Sequence, residues 1–302
     1  MIYEPMLAAP WPAAFDDPRW GFELKWDGVR ALAYSDGRRL RLRSRNGNDL
    51  SERYPSLAAI QLRPGVIDGE VVVVDGDGRP SFEKLARIGR EHHDVQFVAF
   101  DLLEWEGDSV ITLPLLGRRE LLAEFTEDTP ITVNDLTPTD GVNLFSAIEA
   151  SGLEGMVAKR LSSGYEPGRR SGAWRKILNL TTVRCLVGGY SPSEVGEPFS
   201  ALLLGLLVGD RLRYIGRVGS GFSNEDRRHI RSALDDMAGP DPFIADPDIP
   251  EGGFCVPQLV AHVRFRMWTD AGRLRGPVFK GFGSEPVESV TWEAEGPGSV
   301  SV

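Results

Sequence analysis

The longest apolar run free of charge and proline, Ala201–Val208, is only eight residues. That length suits a buried β-strand and is far too short to cross a bilayer. Gly and Pro supply 55 of the 302 residues, so the short apolar runs are bounded by turns, and strands and loops are favoured over a long helical bundle. The chain is 41% hydrophobic and 26% charged, an ordinary globular balance. Its length predicts two domains. Two cysteines, Cys185 and Cys255, cannot build a disulfide framework or a four-thiolate zinc site. The four histidines lack a HExxH pattern. No basic start or continuous apolar core marks the N-terminus as an export signal. A soluble, cytoplasmic, mixed α/β protein is expected.

Net charge is −10, which at first disfavours a nucleic-acid partner. The distribution is more informative. Residues 38–53 hold six arginines against Asp49 and Glu52, and residues 159–176 hold six cations against Glu166. An acidic chain can still focus positive potential in one cleft. Only five of the 34 basic residues are lysine: Lys25, Lys84, Lys159, Lys176 and Lys280. Arginine cannot act as an amine nucleophile, so the surviving lysines are candidates for positions that need a compact, titratable ammonium.

Along the chain, two strand-like runs flank Ser35-Asp36-Gly37, a hairpin signal. Arg39, Arg41, Arg43 and Arg45 fall two apart and share one strand face; a solvated outer face would look the same for Arg39 and Arg41. Val66–Asp75 reads as a buried strand interrupted by Asp68 and Glu70, and Val95–Leu103 as another core strand. Helices are expected over 81–91 with Ser81 as N-cap, over 117–125 and over 140–150. Leu153–Arg160 returns as a strand, followed by a Gly- and Arg-rich loop. Beyond a boundary near Thr181 come short strands at 183–190, 201–208, 211–218 and 258–265, with one helix over 224–237. That spacing fits a small oligonucleotide-binding-type barrel, and a sandwich remains open.

Lys25 ends an apparent strand in Glu23-Leu24-Lys25-Trp26-Asp27-Gly28, where Gly28 permits a tight turn. A lysine so placed could be a covalent nucleophile; alone, the motif equally describes a surface lysine beside a turn aspartate. Glu70 and Glu154 sit in apolar strand sequence, where a bare carboxylate is costly. The context sharpens when SRNG at 44–47, DGE at 68–70, FDLL at 100–103, EGMVAKR at 154–160 and WRK at 174–176 are read in order. Together they resemble the covalent nucleotidyltransferase superfamily, and within it the bacterial ATP-dependent DNA ligases of the end-joining type. EPMLA, GYEPGRRSGAW, VGGY and WTDAGRLRGPVFKG extend the resemblance across roughly residues 3–282.

The resemblance implies an α+β fold: a nucleotidyltransferase (ATP-grasp-like ligase) domain of antiparallel sheets with helices over residues 1–180. An OB-fold β-barrel over 181–292 and a disordered tail over 293–302 would follow. It implies ATP and Mg²⁺ (or Mn²⁺) as cofactors, with Lys25 as the adenylated amine. Glu23, Arg30, Arg45, Glu70, Phe100, Lys159 and Lys176 would bind the nucleotide, Phe100 by stacking on adenine. Glu70 and Glu154 would hold the metal. The implied partners are nicked or broken double-stranded DNA, a Ku-type end-binding protein and a repair polymerase, in a nucleoid-associated repair or recombination role. Two positions depart from the pattern. Leu178 stands where a second lysine is usual, and Gly283, Glu285 and Pro286 replace the arginine and Asp-Lys pair that orient pyrophosphate. A nick- or end-binding module that has lost efficient ATP activation, or an RNA ligase, is the alternative.

Overall fold

The computed structural model describes residues 2–76 and 78–298. Its chain divides into two compact units, Met1–Asn179 and Leu180–Val302.

The first unit is built on two sheets. One has five strands in the order Leu7–Pro10, Arg170–Leu178, Gly155–Arg160, Asp17–Leu24, Thr137–Thr139. The other runs Leu40–Ser44, Val29–Ser35, Gly65–Val73, Val95–Trp105, Asp108–Ser109, with Thr132–Val133 parallel to Val95–Trp105. Phe100, Leu103, Leu32 and Val66 from the second sheet pack with Trp174 from the first, and with Tyr3, Met6 and Tyr165. Each outer face is closed by a helix. Leu115–Phe125 buries Leu122 and Phe125 on the second sheet; Gly141–Ala150 buries Ile148 on the first, beside Trp20, Phe22 and Met156.

The expected hairpin forms from Val29–Ser35 and Leu40–Ser44, pairing Ser35 with Leu40. Leu40 and Leu42 are buried while Arg39 and Arg41 are exposed, the alternation that a strand period of two demands. The helix expected over 81–91 covers only Phe82–Ala86. Ser81 caps it by accepting from the Lys84 N–H, but Gly89 at a φ of 95° cannot continue it. Asp140 caps the 141–150 helix through the Asn143 N–H.

The second unit is an antiparallel sheet in the order Arg211–Val218, Ala201–Val208, Thr181–Ser191, Val260–Phe265, Val278–Phe282, with Gly253–Phe254 added to Thr181–Ser191. This is the oligonucleotide-binding-type half-barrel. Two strands, 201–208 and 211–218, fall on the residues expected. The helix Asn224–Asp236 starts in a capping box between Ser223 and Asp226 and buries Ile230 and Leu234 against the sheet. The segment expected to be disordered from residue 293 begins instead in the helix Trp292–Glu295. The Glu295 carboxylate accepts from the Arg184 backbone N–H at 3.1 Å and its Nε at 2.6 Å, and these bonds order the segment. Residues 299–302 of that expectation lie outside the described residues.

Asp68 and Asp101, both fully buried, interrupt apolar strands of the first unit, and each has a guanidinium. Arg118, fully buried, meets Asp101 at 2.7 and 2.9 Å and also donates to the Leu113 and Ser163 carbonyls at 2.5 and 2.9 Å. It thereby joins a helix, a core strand and the 161–168 loop. Arg118→Met should strand the Asp101 charge and cost about 3–5 kcal/mol, read as a lower urea midpoint for the first unit's transition. A shift below about 1 kcal/mol would contradict this role for the pair.

Candidate active site

Lys25 leaves the end of the strand Asp17–Leu24 and enters the connection to Val29–Ser35, so it lies where the chain passes from one sheet to the other. Its backbone N–H donates to the Gly155 carbonyl at 2.9 Å. Gly28 completes the turn because a Cβ there would lie 2.2 Å from the Val71 carbonyl oxygen; only glycine allows the approach. The Lys25 Nζ contacts Glu154 Oε2 at 2.5 Å, the lysine side chain being 27% exposed and the glutamate 2%. A partly solvent-accessible amine thus sits against a buried carboxylate.

Glu70 projects from Gly65–Val73, with Arg30 as its cross-strand partner. Burial pushes its carboxyl up from the ordinary 4.5 to about 7, opposed by the Arg30 and Lys25 charges and reinforced by Glu154 and Asp68. Glu70 and Glu154 therefore share one electrostatic neighbourhood with Lys25, as the sequence implied for a metal pair. Among the described residues there is no cluster of three or more His, Cys, Asp or Glu that could enclose an ion. Two carboxylates completed by substrate phosphate oxygens are a usual way to hold Mg²⁺. Two carboxylates within reach of one another are the hard oxygen donors that a divalent cation takes, so the donor chemistry of Glu70 and Glu154 fits one.

Lys159 is buried to 1%. Its ammonium contacts Glu23 Oε2 at 2.7 Å, donates to the Phe100 carbonyl at 3.1 Å, and lies 4.5 and 4.2 Å from the Phe100 and Trp174 ring centroids. Burial lowers its pKa, against the opposing pull of Glu23 and Asp101. Glu23, expected at the nucleotide, has its carboxylate enclosed by three protein donors: Lys159, Arg119 at 3.3 Å and Asn134 Nδ2 at 3.3 Å. Arg30 grips Asp68 through Nε and Nη2, both at 2.6 Å, and its guanidinium lies 4.7 Å from the Phe100 centroid. Tyr165 donates to the same Asp68 at 2.6 Å and accepts from the Met6 N–H at 2.8 Å.

The structure thus gathers Lys25, Glu154, Glu70, Arg30, Phe100, Lys159 and Glu23. Lys176 shares the strand of Trp174, two residues on and so on the same face, opposite Val157. Arg45 stands apart. It lies in the turn closed by the Gly47 N–H to the Ser44 carbonyl at 2.8 Å, and lines a cleft of about 420 Å³ with Tyr3, Leu7, Leu32, Arg43 and Asn46. Asn134, Arg119, Tyr165 and Arg118 were not foreseen. Asn134 and Arg119 lie in no motif, and only the improbable buried carboxylates they and their neighbours serve could have pointed to them.

In the second unit, the Glu285 carboxylate pairs with His262 Nε2 at 2.8 Å and folds over Gly283. Arg273 donates to the Tyr214 carbonyl at 2.5 Å and is also held by Asp246. Neither position presents the arginine that the usual C-terminal pattern would.

Residues 5–177 match the family model "ATP dependent DNA ligase domain", and residues 196–285 match "ATP dependent DNA ligase C terminal region". The chain belongs to the ATP-dependent DNA ligase family. It is 37% identical over 290 residues to the multifunctional non-homologous end joining protein LigD of Mycobacterium bovis, covering 92% of this chain and 38% of that protein. It is 32% identical to DNA ligase C1 of Mycolicibacterium smegmatis, covering 78% of this chain and 73% of that one. Among solved structures, a mycobacterial DNA ligase D complexed with ATP and MES is 34% identical, with a TM-score of 0.58 and coverage of 96% and 98%. The chain spans about 38% of the length of the LigD protein it matches.

The raised Glu70 carboxyl has a consequence for stability. The folded state holds this proton up to pH about 7 while the unfolded chain releases it near 4.5. Stability should therefore fall as pH rises through that window. In EDTA, Glu70→Gln should flatten the fall and leave the variant about 1–3 kcal/mol more stable than wild type at pH 8. Parallel melting-temperature curves for the two proteins from pH 5 to 8 would refute it.

Proposed function

We propose that this chain is the sealing module of a DNA end-joining repair system, joining 5′-phosphate and 3′-hydroxyl ends at nicks or breaks through a lysyl-AMP intermediate. The observation that carries the reading is the Lys25 amine held 2.5 Å from Glu154 in a chain of this family.

In the first step the Lys25 Nζ attacks the α-phosphorus of ATP. A nitrogen–phosphorus bond forms as the bond to the pyrophosphate oxygen breaks. The attacking ammonium must shed its protons, and Glu154 Oε2 is an acceptor already in hydrogen-bond contact. The AMP then passes to the oxygen of a 5′-phosphate, and the 3′-hydroxyl displaces it to form the phosphodiester. Transfer of this kind is governed by positioning and by neutralising the phosphate oxygens. Lys176 and Lys159 supply point charges on one sheet face, from neighbouring strands. Arg45 supplies a forked donor, while Arg30, whose fork holds Asp68, lines the site. Phe100 offers an apolar ring for the base, and Glu70 an acceptor for a ribose hydroxyl. Glu23 acts through Lys159, whose ammonium it holds. A divalent ion held by Glu70 and Glu154 would supply charge neutralisation at the phosphates.

Double-stranded DNA with a nick or break is the substrate. Arg39, Arg41 and Arg43 line one shallow cleft of the first unit with Tyr34 and Asp36, a basic face suited to phosphates. The end-joining relative is in keeping with a repair setting; a Ku-type end-binding protein and a repair polymerase as partners, and the cytoplasm at the nucleoid as the location, are proposed from the motif resemblance. No helix among the described residues is long and apolar enough to cross a membrane.

Two experiments test the proposal. With α-labelled ATP and Mg²⁺, the wild-type chain should carry label through denaturing electrophoresis. Lys25→Arg keeps the charge but loses the usable amine and should carry none; label persisting in that variant would sink the assignment. The second concerns DNA. Affinity for nicked duplex should fall steeply with salt, and replacing Arg39 and Arg41 together by Ala should reduce the log–log slope by about 1.8, roughly 0.9 per lost phosphate contact. An unchanged slope would make this face a solvated surface only.

A further inference from the structure

Asn134 closes the short strand Thr132–Val133, outside every motif of the chain. It is 4% exposed, yet every polar group of its side chain is directed at the segment carrying Lys25. Its Nδ2 donates to the Leu24 carbonyl at 3.1 Å and to Glu23 Oε2 at 3.3 Å, while its Oδ1 accepts from the Trp26 indole Nε1 at 2.8 Å. The orientation of the amide is unambiguous, because a carbonyl can only accept and an indole N–H can only donate. Both chain neighbours of Lys25 are thus held by one side chain.

Asn134 is itself anchored. Its N–H donates to the Ala99 carbonyl of the strand Val95–Trp105 at 2.8 Å, and its carbonyl receives Arg119 from the helix Leu115–Phe125. The Lys25 N–H is fixed to Gly155 on the other sheet. The main chain at the nucleophile is therefore tied to both sheets at once, and aiming the amine is left to the lysine side-chain torsions.

We propose that Asn134 is a positioning residue for lysine adenylation, holding residues 24 and 26 so that the Lys25 amine is delivered in line to the phosphorus. This rests on the proposed ligase function. It predicts that loss of Asn134 affects the one step in which Lys25 is the attacking atom, since a misplacement of about 1 Å can cost about a hundredfold in rate.

The test uses the full chain, α-labelled ATP and Mg²⁺, with Asn134→Leu and Trp26→Phe. In single turnover, Asn134→Leu should slow formation of labelled enzyme about 10- to 100-fold, with the half-saturating ATP concentration within about threefold of wild type. Sealing of a chemically pre-adenylated nick, in which Lys25 is not a reacting atom, should fall at least about tenfold less than adenylation. Trp26→Phe removes only the indole donor. It should slow adenylation less, and combined with Asn134→Leu it should add nothing, the sign of a shared interaction. Should Asn134→Leu not fold, the same two rates in Trp26→Phe decide the matter. Adenylation within about twofold of wild type in both single variants would overturn the proposal. So would ATP saturation and pre-adenylated sealing falling in step with adenylation, which marks general loss of structure. A wild-type chain that takes no label would instead overturn the ligase reading, and this inference with it.

Discussion

A carboxylate withdrawn from water must be met by donors on nearly every lone pair, or it will not stay ionised. The first unit buries Glu23, Asp68, Asp101 and Glu154, and the arrangement around Lys25 follows from how each is met. Asp101 receives two bonds from Arg118, which ties the core strand to a helix and a loop. Asp68 receives Arg30 and Tyr165, which ties the inter-sheet core to the N-terminal segment through Met6. Glu23 receives Lys159, Arg119 and Asn134. Glu154 is met by the Lys25 ammonium, the group that gives up its protons in the proposed reaction. Glu23, Asp68 and Asp101 are held by side chains that the proposed reaction leaves covalently unchanged.

This division of labour also explains why arginine and lysine are not interchangeable here. Asp68 and Asp101 take guanidinium forks, whose planar donors match both carboxylate oxygens. Lys159 occupies a narrower place, with Phe100 and Trp174 rings within 4.5 Å of its ammonium and one carboxylate oxygen in contact. A compact ammonium directed at one carboxylate oxygen serves there, where no second oxygen is gripped. The scarcity of lysine in the sequence was therefore informative about Lys25 and Lys159, which share a carboxylate-lined site, although one is exposed enough to react and the other is enclosed.

Much of the fold was legible because strand identity is written in short apolar runs, and those at 201–208 and 211–218 coincide with the strands observed. The helices expected over 224–237 and 140–150 match those observed to within a residue, with Ser223 and Asp140 as the caps that start them. The 81–91 segment was overextended because a good cap says where a helix starts, not that enough apolar surface follows to carry it beyond Ala86. Of the site, the motif residues were legible as residues but not as a geometry. The sequence places Asp68 in a buried strand, yet nothing local reveals that Arg30 meets it, or that Arg118 meets Asp101. Asn134 has no pattern at all, because its role comes from sheet pairing with Ala99, which brings residue 134 against residues 24 and 26.

The C-terminal departure can be read in the same terms. Cations that orient a leaving group, as the family resemblance implies for this loop, need to be unpaired and solvent-facing. In this chain Glu285 meets His262, and Arg273 is shared by Asp246 and the Tyr214 carbonyl. These contacts give the second unit internal order at positions where the family pattern places charge for use on a substrate. Lys280, exposed on the strand Val278–Phe282, is left as a cation with a solvent-facing position near the departure. Charge committed to a protein partner is charge withdrawn from the substrate. On the proposed reaction, stabilising the first step would fall to the first unit's own residues, where the main chain around Lys25 is held from both sheets.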